Sequence, residues 1–68
     1  MFYLTRISGE KFLINPEAIK TVELSGDTII TLMTGDRILV KESPEQIRSQ
    51  FLEYKKQILS GYATIEKG

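Results

Sequence analysis

The sequence predicts an α+β fold: a five-stranded antiparallel β meander, or a small barrel-like sheet, followed by one C-terminal α-helix. Three observations predict it. Turn-forming clusters recur at Ser8-Gly9-Glu10, Asn15-Pro16-Glu17, Ser25-Gly26-Asp27 and Thr34-Gly35-Asp36. The runs between them are short and rich in β-branched and aromatic residues, as strands are. After the last run, Ser43-Pro44-Glu45-Gln46 opens a long amphipathic stretch.

Strands are expected over residues 2–7, 11–14, 19–24, 28–34 and 36–40. Gly tolerates positive φ, Pro presets φ, and Asn or Asp can bond nearby backbone, so each cluster between strands can reverse the chain. Connections this short join neighbouring strands antiparallel. The alternation along the strands is not clean. Ile30 and Leu32 share one face while Ile29 and Met33 share the other, and Ile38 and Val40 oppose Leu39. A sheet half-exposed to water is polar on one face. This one is apolar on both, so one face needs the helix or a curled sheet and the other needs a partner.

The helix is expected over residues 44–60. The Ser43 hydroxyl can accept from the amide of Gln46, and Gln46 can reach back, which makes a capping box. Pro44 falls at the first helical position, where its missing N–H costs nothing. Glu45 near the start and Lys55 and Lys56 near the end agree with the macrodipole. Gly61 is the expected C-terminal cap. Ile47, Phe51, Tyr54 and Ile58, spaced four, three and four, form the stripe expected to dock on the sheet. Leu52 and Leu59 fall beside it. One domain over residues 1–61 and a mobile tail over 62–68 are therefore expected.

Sixty-eight residues leave room for a single domain. A chain this short buries only about 60% of the surface it exposes unfolded. It has no cysteine and no histidine, so neither disulfides nor a zinc site of the usual ligands can compensate. Oligomerisation is the remaining common remedy. The residues expected at an oligomer interface are Ile29, Met33 and Leu39 on the sheet and Leu52 and Leu59 on the helix. Nine basic and nine acidic residues cancel, which removes a global attraction to nucleic acid or anionic membrane. No apolar run reaches the roughly 18 residues that span a bilayer, and no secretory leader pattern opens the chain, so a cytoplasmic location without membrane insertion is expected.

Catalytic chemistry has little to work with. Without cysteine or histidine, no thiol is present and no imidazole can serve a Ser or Thr as base. Asp27 and Asp36 occupy turns and Glu45 a helix start, each with a sufficient structural reason. The glycines are isolated, and no phosphate-binding loop is present. The expectation is a protein without enzymatic activity, cofactor or metal. Arg6, Lys11, Arg37, Lys41 and Arg48 lie in or beside the sheet and could track phosphates if gathered on one edge. The plainer reading makes them the solvent-facing members of their elements.

Over about residues 2–55 the chain resembles the FlbD/SwrD family of small bacterial flagellar proteins. The matching residues begin with Leu4, Thr5, Arg6 and Gly9 and continue through Phe12, Asn15, Pro16, Ile19 and Glu23. The match is densest at Asp27-Thr28, Ile30-Thr31-Leu32, Gly35, Val40-Lys41-Glu42-Ser43 and Glu45. Ser8 stands where the family usually has Asn, and Gly26 where it usually has Pro; both changes fall in turns. The resemblance implies a non-enzymatic cytoplasmic accessory of flagellar motility, associated with motor power in swarming. Such a protein would work by binding a flagellar motor component or a protein that controls its assembly or output, at the flagellar base. Arg6, Asn15, Asp27, Lys41 and Glu42 are the expected partner-binding residues.

A second, shorter similarity gives the alternative. Leu4-Thr5-Arg6 followed by Gly9-Glu10 resembles the opening of the carbon storage regulator family. Those proteins are small RNA-binding dimers with five strands and a C-terminal helix. That resemblance implies a dimeric translational regulator using Arg6 and Lys41 on RNA phosphates. Beyond Glu10 the match thins, and the family's RNA-contacting segment has no counterpart here.

Overall fold

The turn residues do what their types require. Gly9, Gly26 and Gly35 all have positive φ, and around them run β1 (Phe2–Thr5), β2 (Lys11–Ile14), β3 (Ile19–Ser25), β4 (Asp27–Leu32) and β5 (Arg37–Val40). A 3₁₀ turn, Pro16–Ala18, separates β2 from β3, and α1 (Pro44–Lys67) follows β5. This computed structural model describes residues 1–67, with side chains to Leu59. The reversal at Gly26 is the tightest: Ser25 already pairs with Asp27, and Gly26 alone turns the chain with φ 76°. That is the φ of a γ-turn centre, a value costly for any residue with a Cβ.

The strands form two antiparallel sheets, a β1–β2 hairpin and a β3–β4–β5 meander, rather than one five-stranded meander. The sheets meet through a short seam. Arg6 bridges Val40, the Ile7 amide donates to the Leu39 carbonyl (3.2 Å), and the Lys41 amide donates to the Thr5 carbonyl (2.8 Å). The seam stays short because the chain turns away at once: the Gly9 amide bonds the Arg6 carbonyl and the Arg6 amide bonds the Glu10 carbonyl, each at 2.8 Å. At the other side β2 and β3 do not pair. The 3₁₀ turn between them is capped by Asn15, whose Oδ1 accepts from the Glu17 amide at 3.1 Å, and it carries the chain to a separate sheet. β2 and β3 are therefore both edge strands.

The core is thin. Among the described residues Leu4, Ile14, Ile30, Val40 and Ile47 are its buried apolar side chains, two from each sheet and one from the helix. Phe2, Phe12, Ile19, Val22, Leu32 and Ile38 pack around them. Register explains the choice: Thr28 pairs with Val40 and Ile30 with Ile38, so these four share the inward face of the meander.

The helix begins as its sequence dictates. The Ser43 amide donates to Gln46 Oε1 (2.8 Å) and the Gln46 amide to Ser43 Oγ (3.1 Å), a complete capping box. Only the first part of the expected stripe is sequestered: Ile47 is buried, Phe51 and Tyr54 are half-buried, and Ile58 is exposed. Lys55 Nζ ties the helix to Glu17 of the 3₁₀ turn at 3.0 Å. The helix does not stop at Ser60 but passes Gly61 and runs to Lys67. One interior glycine costs a helix only about 1 kcal/mol, and no proline follows to end it. Gly68, the last residue of the expected mobile tail, lies outside the described residues.

Candidate functional site

Four of the five expected binding residues gather at one end of the molecule. Thr5 pairs with Lys11 while Phe2 pairs with Ile14, so Arg6 stands at one end of the hairpin and Asn15 at the other. Arg6 bridges Val40, which places Lys41 and Glu42 beside it. Asp27 and Lys41 line one open hollow of about 390 Å³ with Ile7 and Leu24. Asn15 is apart, occupied with its 3₁₀ cap.

Each of these side chains has a local environment that limits what it can do. The Arg6 guanidinium lies 4.7 Å from the Phe12 ring centre, and its Nε is 3.4 Å from Glu10 Oε1. Stacking of this kind is worth about 0.5–1 kcal/mol at an exposed site and fixes the direction of the planar fork. Arg6 is thus a held cation with an open edge. Lys41 and Asp27 are exposed and make no ion pair among the described residues.

Glu42 is different. The Thr5 amide donates to Glu42 Oε1 and the Thr5 hydroxyl to Oε2, each at 2.8 Å. Partial burial pushes the carboxyl pKa up. The two bonds from Thr5, the residue's own amide and the nearby Lys11 charge together outweigh this and hold it below the ordinary 4.5. Glu42 is therefore an ionised clasp that fixes β1 against the β5–α1 junction. Sequence reasoning missed this pair because the partners are 37 residues apart and each side chain alone looks like an ordinary surface group.

The outer faces of both sheets carry apolar pairs. Tyr3 pairs with Leu13 across β1–β2, and Ile29 pairs with Leu39 across β4–β5. Tyr3, Leu13 and Leu39 are exposed by 60%, 53% and 43% of their surface. Met33 projects from the following turn, and Leu52 and Leu59 are exposed on the helix. A second hollow, about 400 Å³, runs between β3 and α1 and is lined by Lys20, Val22, Ile47, Arg48, Phe51 and Leu52 among others.

Among the described residues no His, Cys, Asp or Glu cluster could hold a metal, and no helix is long and apolar enough to cross a membrane. A family model described as flagellar and swarming motility proteins, FlbD, matches residues 1–59. Neither a curated protein nor a solved structure matches the chain.

Proposed function

Because the chain belongs to the FlbD family of flagellar and swarming motility proteins, we propose that it is a non-enzymatic cytoplasmic accessory that supports flagellar motor power by binding other proteins. The observation that carries this reading is the Ile29–Leu39 pair on the outer face of the meander, Leu39 exposed and Ile29 half-buried, on a sheet whose inner face holds the core. Apolar side chains left exposed on a small domain suit an interaction site better than a substrate site. Part of that surface joins copies of this chain, through Ile29, Met33 and Leu39 with Leu52 and Leu59 of the helix. Arg6, Asp27 and Lys41 supply the polar contacts to a flagellar motor or assembly protein at the flagellar base. Glu42 positions that end, and Asn15 shapes a separate turn.

A clean deletion strain tests the reading. Filaments of normal number and length with reduced swarming and reduced torque on tethered cells are the expected result, restored by the intact gene. Normal torque in the deletion strain, or loss of filaments, would overturn it.

A further inference from the structure

We propose that the groove between β3 and α1 receives an extended, acidic segment of a partner protein, which adds to the free edge of β3 as a further strand. The proposal deepens the protein-binding reading above and rests on it for biological context.

Three observations carry it. First, among the described residues β4 is the only strand paired with β3, so the other edge of β3 offers backbone donors and acceptors without sheet partners. The groove opens on that edge: Ile19, Lys20, Thr21 and Val22 all line it. Thr21 and Val22, in regular register with Thr31 and Ile30, face opposite sides of the sheet, and since both line the groove it runs along the strand's side. A register shift between Ile19 and Thr21 leaves Lys20 without a cross-strand partner.

Second, the opposite wall is apolar. Ile47 forms part of the floor, and Phe51 and the exposed Leu52 stand along the helix. Strand addition draws affinity from main-chain bonds and specificity from pockets that take alternate side chains. The groove's roughly 400 Å³ suits a few side chains of one short segment.

Third, charge selects the occupant. Lys20 and Arg48 both line the groove, no carboxylate does, and neither cation takes part in an ion pair among the described residues. In a chain of zero net charge this is a local positive site rather than part of a general basic character. Lysine on a free edge, beside an irregular register, discourages pairing with an arbitrary strand. A strand carrying aspartate or glutamate opposite Lys20 and Arg48 converts that deterrent into selectivity.

The test is an NMR titration of the purified full chain with a synthetic eight-residue peptide alternating valine with glutamate. The expected result is shift changes confined to β3 and residues 47–52 of α1, with a Kd below about 1 mM. Methylating alternate peptide nitrogens along one edge should abolish binding while methylating the other set leaves it intact. Arg48→Glu should weaken it roughly threefold to tenfold, the effect of one exposed ion pair lost and replaced by repulsion. Arg48→Gln should lie between, with an unchanged melting temperature showing that the fold survives. No binding at 1 mM, equal binding of a valine–lysine peptide, or indifference to both methylation patterns would overturn the proposal. So would displacement of the peptide by a single-stranded oligonucleotide, or a groove already closed by a second copy of the chain. The titration needs no motility, so its failure is distinguishable from normal torque in a deletion strain.

Discussion

Glu42 engages both donors of Thr5, the backbone amide and the hydroxyl, at 2.8 Å each, across 37 residues of chain. A carboxylate that accepts from an amide is stronger than a neutral acceptor, and here it closes the seam between the two sheets. Its pKa is lowered by folding. The stabilisation is therefore fully present above the unfolded value near 4.5 and is lost as pH falls below it through the folded value. Glu42→Gln should cost about 1 kcal/mol at neutral pH, since two charge-assisted bonds become neutral ones while the Thr5 hydroxyl turns to accept from the new amide. The same change should flatten the decline of stability below pH 4.5, read from urea midpoints between neutral and acid pH.

Ser43→Ala removes one side of the capping box and leaves the Gln46 amide without its acceptor. The expected loss is about 1 kcal/mol, measured by denaturant unfolding, with Ser43→Asp restoring most of it.

Ile47 carries the docking of α1, as it is the buried apolar side chain that the helix contributes to the core. Ile47→Ala should cost about 2–5 kcal/mol, a large part of the stability of a domain this small. Circular dichroism should show weakened thermal cooperativity, and Tyr54 fluorescence should become more solvent-exposed. An equal cost at exposed Ile58 would contradict the partial docking described above.

Gly26 turns β3 into β4 unaided, at φ 76° with open space around it. Gly26→Ala meets no steric neighbour and should still lose about 1 kcal/mol or more, through backbone strain alone. A neutral or stabilising result by thermal unfolding would contradict the positive φ.

The self-association proposed here predicts a dimer or larger species in sedimentation equilibrium at micromolar concentration. Leu39→Glu and Leu59→Glu should each shift the species toward monomer without lowering secondary structure. Leu52 is a poorer probe, since it also lines the β3–α1 groove. Wild-type protein that is monomeric at these concentrations would remove the self-association reading and leave the binding of other proteins to be tested by torque.

Local chemistry made most of the fold legible. The turn glycines, the Asn15-Pro16 turn and the Ser43-to-Gln46 box are settled by residues within four positions of one another, and all stand where their types predict. What stayed hidden depends on distance in the chain. The division into two sheets follows from how soon β1 and β5 part after Arg6 and Val40, which no alternation pattern encodes. The Thr5–Glu42 clasp and the Lys20–Arg48 groove likewise join residues that only the completed fold brings near. Gly61 resembles a C-terminal cap, yet a glycine ends a helix only where the chain must turn left-handed there. Here the backbone stays helical.

A helix of 24 residues is about 36 Å long, whereas strands of four to seven residues span at most about 23 Å. The molecule accordingly measures 47 × 22 × 18 Å, a small head on a rod. Bodies gripping the head at Lys41 and the rod beyond Leu59 would stand well clear of each other.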